Sequence, residues 1–268
     1  MYKRQGNFEY FQPLGKNFHF TLRGNFTLSK NKINNWEEAT QPYPYLSKTG
    51  FSNDVQRGFI SLGLFKDQQD VDMSPEQFGT VRPGDIKYKD VNGDGEITTA
   101  DRTMIGDPTP DVTYGITLGV NYKNWELGID MMGQGGNQIF RTWDNYNWSQ
   151  FNFMEQRMDR WHGPGTSNTQ PLLNTKHTIN NLNSEYYIED GSFFRIRNVQ
   201  LAYNFDKTLI SRIGMQALKL YVNIQNLKTW KHNTGYTPEL GGSAIAFGVD
   251  DGSYPMPAIY TFGFNLTF

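Results

Sequence analysis

Along much of this chain the apolar residues fall on every second position. Phe18, Phe20, Leu22, Phe26 and Leu28 take one parity, and His19, Thr21, Arg23, Asn25 and Thr27 take the other. Further on, Tyr114, Ile116, Leu118, Val120 and Tyr122 alternate with Thr117, Gly119 and Asn121. Past a Lys123-Asn124 turn, Trp125, Leu127, Ile129 and Met131 alternate with Glu126, Gly128 and Asp130. A period of two marks strands with one apolar and one polar face, and this second pair reads as a hairpin. The pattern returns over 199–205, 218–225 and 260–268, and Gly58 to Phe65 is a shorter, weaker strand candidate. About seven strands are expected. The stretch from Phe153 to Trp161 predicts a short helix inside a long loop.

Alternation alone also suits a soluble sandwich, which buries one face and wets the other. Here the apolar faces are nearly pure and carry rings towards the strand ends (Tyr114, Tyr122, Trp125, Tyr203, Tyr260), while the opposite faces hold Thr, Asn, Gln, Gly and charges. An outer-membrane barrel needs that combination of lipid-facing band, aromatic girdles and polar lumen. The expected fold is therefore all-β, an antiparallel transmembrane β-barrel segment with long extracellular loops. The alternative is a soluble extracellular β-domain, stabilised by calcium and binding glycans.

Loop lengths add a second criterion, because such barrels have short periplasmic turns and longer outer loops. With the last strand running inward to Phe268, inside turns fall at Lys123-Asn124 and near 206–217. Outer loops then fall at 66–112, 133–193 and 229–258. The stretch from Asn31 to Gln56 departs from this scheme, being long on the expected inside. Arg195 and Arg197 share the apolar parity of Val199 and Leu201. Either that strand projects above the membrane, or a β-bulge near Asn198 turns the two arginines inward.

Composition narrows the chemistry. A net charge of −2 and a pI near 6.1 provide no basic field for nucleic acid. Aromatics make up 15% of the chain, yet mean hydropathy is −0.64, which suits two-faced strands better than a helical core. Without cysteine there is neither a disulfide framework nor a thiolate zinc site. No apolar run reaches the roughly 18 residues of a membrane helix, and no signal peptide opens the chain. The four histidines are scattered, with no HExxH spacing and no GxSxG elbow, so an enzyme is not expected.

One segment carries metal chemistry. DVNGDGEITTAD places Asp90, Asn92 and Asp94 at loop positions 1, 3 and 5, Gly95 at position 6 and Asp101 at position 12. This is the oxygen-ligand spacing of an EF-hand calcium loop, in which Glu96 would contribute its backbone carbonyl. Aspartate in place of a bidentate glutamate at position 12 shortens the reach and weakens binding. A structural Ca2+ is expected. A dockerin-like module would need a second loop and flanking helices, which the sequence does not show. The run TWDNYNWSQFNF offers Trp143, Tyr146 and Trp148 as rings on which a sugar could stack.

These segments together resemble the SusC/RagA family of TonB-dependent outer-membrane transporters. The resemblance rests on RPGDIKYKDVNGDGEITTADRTMIGDPTPDVTYG, RWHGPGTSNTQP, DGSFFRIRNVQLAYNF, LKLYVNIQNL, GYTPELGG and YPMPAIYTFGFNLTF, in that order. It covers most of 82–268, and the first eighty residues fit more loosely. In GYTPE, Thr237 stands where the family commonly has Asp. The resemblance implies the C-terminal strands of a 22-stranded barrel, with a plug energised through the TonB complex. It also implies a SusD-like surface lipoprotein as partner, uptake of oligosaccharides or peptides, and a location in the outer membrane of a Gram-negative bacterium. Phe264, Leu266 and Phe268 resemble the terminal signal read by the outer-membrane assembly machinery. No plug or TonB box is found in the chain, so it reads as a fragment, surrounded by outer-membrane lipids and inactive alone.

Overall fold

The computed structural model describes residues 2–144, 153–173, 179–240 and 246–268. Seven long strands form one antiparallel sheet: β1 (Tyr2–Pro13), β2 (Phe18–Lys30), β3 (Val112–Tyr122), β4 (Trp125–Gly135), β5 (Phe193–Asn204), β6 (Ala217–Lys231) and β7 (Ile259–Thr267). Each strand pairs with its neighbours in the chain, so the sheet is an up-and-down meander. β1 and β7 form its two open edges.

Register aligns the rings into two rows. At one end Phe18 lies opposite Tyr122, Tyr122 opposite Trp125, and Trp125 opposite Tyr203, with the Trp125 and Tyr203 rings 4.8 Å apart. At the other end Phe26 faces Tyr114, and Phe194 stacks between Tyr114 at 6.4 Å and Trp230 at 5.6 Å. Gly133 lies between Tyr114 and Phe194 in the register. A Cβ on Gly133 would stand 2.4 Å from the Tyr114 hydroxyl, so only glycine lets that ring cross. The rows are set by Tyr114 and Tyr122, eight residues apart on β3. At about 3.3 Å per residue and a tilt near 40°, that is roughly 20 Å of membrane depth, close to the band expected of such a barrel.

The molecule's dry core lies outside this sheet. Phe59, Ile86, Tyr88, Ile97 and Ile179 pack together in the loops, with Phe65, Ile139, Phe140 and Tyr187 also buried there. By contrast Phe262 and Phe264 on β7 are 72% and 61% exposed, and Leu201, Val222 and Trp125 are exposed as well. Among the described residues no second layer covers the apolar face. A soluble sandwich buries that face against another sheet, so this arrangement contradicts the soluble reading and calls for lipid as the solvent.

Three sequence expectations need correction. Residues 2–13 form a full strand, although alternation hardly marks it. On the lipid-side parity of β1, only Tyr2, Phe8 and Tyr10 are apolar, and Arg4, Gly6 and Gln12 interrupt them. The gaps are filled from β2: Phe8 lies over Gly24 and Phe26 over Gly6. Second, Gly58 to Phe65 is not a membrane strand. Its first residue closes the strand Gln56–Gly58 and its middle forms Ser61–Leu64, in two small two-stranded sheets among the loops. Third, adding one strand and removing the other moves Asn31 to Gln56 from the inside to the outside. The short turns are now 14–17, 123–124 and 205–216, and the long loops are 31–111, 136–192 and 232–258. The alternation of short and long connections is then complete.

In the loop after β4, the helix expected from Phe153 to Trp161 is a single 3-10 stretch, Glu155–Asp159. No helix among the described residues is long and apolar enough to cross a membrane.

Candidate functional site

The 90–101 loop is folded upon its own amides. Gly93 and Gly95 hold left-handed backbone, with φ of 78° and 90°, which an L side chain rarely adopts. Asp90 accepts from the N–H of Gly93 at 2.6 Å and of Gly95 at 2.9 Å. Asn92 Oδ1 accepts from Asp94 N at 3.0 Å, and Asp94 Oδ1 from Glu96 N at 3.0 Å. Asp101 is fully buried and accepts from the N–H groups of Val91, Asn92 and Thr98. The N–H groups of Gly95, Gly93 and Asp94, Gly95's foremost, hold the Asp90 carboxyl below the usual carboxylate range. Ile97 anchors the loop in the hydrophobic cluster, and the Glu76 backbone clamps it through Gly95 O and Ile97 N.

This donor set is all oxygen with three carboxylates, which is the chemistry a hard cation requires. The bonded oxygens of Asp90 and Asp94 each keep a second lone pair, whereas Asp101 Oδ1 already accepts two N–H groups. Yet no three Asp, Glu, His or Cys side chains among the described residues stand as a preassembled metal cluster. A cation would draw also on Asn92 and a backbone carbonyl, and Asp94 would have to release the Asn92 amide it accepts from at 2.7 Å.

Of the aromatic run, Trp143 is placed; Tyr146 and Trp148 lie outside the described residues. Trp143 shares a cavity of about 190 Å3 with Met154, Thr234, Gly235, Tyr236 and Gly252. Beneath it lies a buried ionic network that no local sequence pattern announces. Arg141 pairs with Asp144 at 2.9 Å and Glu189 at 2.8 Å, and Arg157 reaches Asp144 at 3.3 Å. Burial pushes the Asp144 carboxyl up against the pull of both guanidiniums. Glu189 also accepts from the Thr234 hydroxyl and N–H. Arg157 stands 13 residues from Asp144 and Glu189 48 from Arg141, so the folded loops bring these two to the local Arg141–Asp144 pair.

On the polar face of the sheet, Thr117, Asp130 and Asn198 form one hydrogen-bonded row. Lys219, Glu126 and Asn204 form another. The register of β5 slips between Ile196 and Asn198, so the bulge turns both arginines inward as one of the two sequence readings has it. Arg195 is buried, donating Nε–H to Thr229 Oγ1 at 2.7 Å and pairing with Glu239. Thr237, in the GYTPE segment, prepares that pair: its hydroxyl oxygen accepts Glu239 N at 3.2 Å, the turn-forming role an Asp side chain also performs. The Arg195–Glu239 pair went unread in the sequence because it joins a strand to a loop 44 residues away.

Phe264 and Leu266 lie on the apolar face of β7, and Phe268, just beyond it, is exposed as well.

No family model matches the chain. Among curated proteins it is 32% identical over 228 residues to the TonB-dependent receptor P26 of Formosa agariphila, covering 82% of the chain and 23% of the relative. It is 22% identical over 196 residues to the TonB-dependent receptor SusC of Bacteroides thetaiotaomicron, covering 70% of the chain and 18% of that protein. The chain thus spans less than a quarter of these relatives' length. Among solved structures, that of the RagAB peptide transporter superposes with a TM-score of 0.74 at 16% identity, covering 99% of the chain and 29% of the matched one. That similarity shows the fold, and the sequence relatives agree with it. The chain belongs to the TonB-dependent receptors of the outer membrane, and its sheet is a portion of their β-barrel wall.

Proposed function

We propose that this segment is the outer wall and loop region of a TonB-dependent nutrient importer, not an enzyme, that takes up oligosaccharides or peptides. The observation that carries the reading is the division of solvents: the sheet's apolar face is bare between two aromatic rows, while the loops own the dry core. Named relatives that are receptors, and a fold neighbour described as a peptide transporter, support it. A SusD-like surface lipoprotein would dock on the outer loops, and the TonB complex would act through other parts of the receptor. Seven strands with two open edges would leave backbone groups unpaired in hydrocarbon, so this segment alone would not transport. Phe264, Leu266 and Phe268 would present the assembly signal.

In the long outer loop, Asp90, Asn92, Asp94 and Asp101 would hold Ca2+ through side-chain oxygens, and Glu96 through its carbonyl. The ion would cross-link the loop and contribute stability, with affinity in the roughly 10⁻⁴–10⁻³ M range of extracellular modules. Trp143, with Tyr146 and Trp148, would offer stacking faces to a sugar.

The test is growth of a strain deleted for the complete receptor, on the oligomeric nutrients it consumes. Loss of growth on one class, restored by the receptor but not by this segment alone, is the expected result. Unimpaired growth on every oligomer, with the receptor present in the soluble fraction of the parent strain, would overturn the reading.

A further inference from the structure

Two adjoining cavities meet at the outer end of the sheet, one among the loops beyond the strand ends and one on the polar side of the strands. They share Glu239 and Met256 in their linings. The first, about 390 Å3, has apolar walls that include Pro108, Pro110, Pro238 and Phe247. The second, about 510 Å3, is polar: Arg195, Arg197, Asn198, Asn223, Gln225 and Asn226 supply most of its surface.

The charges in the polar cleft are unequally spent. Glu239 is the one acid in its lining, and it is committed to Arg195. Asp130, the nearest acid along the strand register, is turned to the Thr117 hydroxyl at 2.8 Å and to Asn198. Against β4, Arg197 is the extra residue of the bulge, and it is exposed into the cleft. It forms no ion pair or hydrogen bond among the described residues. Two guanidiniums against one carboxylate leave the lining with a net charge of +1. Carboxamides around Arg197 add neutral donors without cancelling that charge. A bulge in mid-sheet that costs ladder hydrogen bonds re-aims a side chain, and here the side chain re-aimed is an unpaired cation.

We propose that this cleft is an anion subsite of the importer, in which Arg197 receives a carboxylate of the imported oligomer. The apolar walls of the adjoining cavity hold the rest of the ligand. The inference rests on the import reading above and deepens it, because it selects acidic over neutral oligomers. The planar guanidinium suits a carboxylate, which accepts two parallel N–H groups. The carboxylate could come from a sugar acid or from a peptide C-terminus.

The experiment uses the complete receptor that carries this segment, purified in detergent, and measures binding by calorimetry. The probes are trigalacturonate and its methyl ester, and a tripeptide with a free or an amidated C-terminus. At least one acid should bind the wild type more tightly than its neutral partner, and less tightly as salt rises. Which acid does so identifies the source. Arg197→Gln should weaken that acid about 10-fold or more and leave the neutral forms unchanged; Arg197→Lys should recover part of the loss. Equal binding of acid and neutral forms by the wild type would overturn the subsite, as would no binding of either acid or an unaltered Arg197→Gln. Heat-modifiable migration in outer-membrane fractions is read in parallel. A receptor that is folded there but indifferent to charge loses only the subsite, whereas one that never folds there loses the importer as well.

Discussion

If the sheet's apolar face meets lipid, the cost of a charge on it must depend on depth and on face. Leu118 lies midway between Tyr114 and Tyr122, opposite Leu22 on one side and Ile129 on the other. An arginine there would sit near the bilayer midplane, where it costs about 2–4 kcal/mol. That is a fall of roughly 30- to 900-fold in the folding equilibrium constant. Leu28 lies two residues beyond Phe26 of the outer aromatic row, so Leu28→Arg should cost only about 0–1 kcal/mol. Gln200 lies on the polar face, opposite Asn223 and Gly128, and open space stands above Gly128. Gln200→Arg should therefore be nearly neutral. The assay is urea unfolding of the complete receptor in phosphatidylcholine vesicles, read by tryptophan fluorescence. The order Leu118, Leu28, Gln200 in decreasing cost is expected. A Gln200→Arg variant that costs more than Leu118→Arg would refute the assignment of faces.

Further predictions concern the loops. Removing Ca2+ with EGTA, or introducing Asp90→Ala, should speed proteolysis within 66–112; cleavage unchanged by either would count against the metal. Asp144→Ala leaves Arg141 and Arg157 short of a buried partner, which should destabilise the outer loops by about 3–5 kcal/mol and expose the 153–173 segment to protease; an equally resistant variant would show that the network is idle. The Asp70 carboxyl is held below the usual carboxylate range, first by its hydrogen bond from Lys87 and then by the Lys66 N–H. Its folded pKa is depressed, so its contribution is full above the ordinary carboxylate range and is lost as pH falls through the folded value. For this partly exposed pair about 0.5–1 kcal/mol is at stake. Amide protection in 66–88, taken relative to the intrinsic exchange rate at each pH, should fall on acidification in the wild type and fall less in Asp70→Asn; identical pH profiles of protection would dismiss the pair.

How much of this was legible in the sequence follows from where periodicity carries information. β3, β4, β5, β6 and β7 face lipid on one side, so every second residue is constrained, and their faces were readable directly. β1 was not, because Gly6 and Gly24 yield their places to rings from the opposite strand, and the apolar mass of one strand is booked to the other. Gly58 to Phe65 misled for the reverse reason. Phe59 and Phe65 are buried in a globular loop, where packing in all directions leaves a short apolar run without a face. The loop chemistry divides in the same way. The 90–101 segment is local, and its spacing is its signal. The Arg195–Glu239 pair and the Arg141 network join residues far apart in the chain, and nothing in either neighbourhood specifies the other. Thr237 in the place of Asp became intelligible only when its hydroxyl was seen to hold the Glu239 N–H.

The most direct measurement exploits the absence of cysteine from this segment. Single cysteines introduced at each position from 114 to 122 in the complete receptor would carry a spin label, and its collisions with oxygen and with a water-soluble nickel complex would be recorded in membranes. Ile116, Leu118 and Val120 should meet oxygen, and Thr117, Gly119 and Asn121 should meet nickel, with a period of two across the whole strand. Uniform access to nickel at every position, or the opposite phase, would contradict a lipid-facing barrel wall.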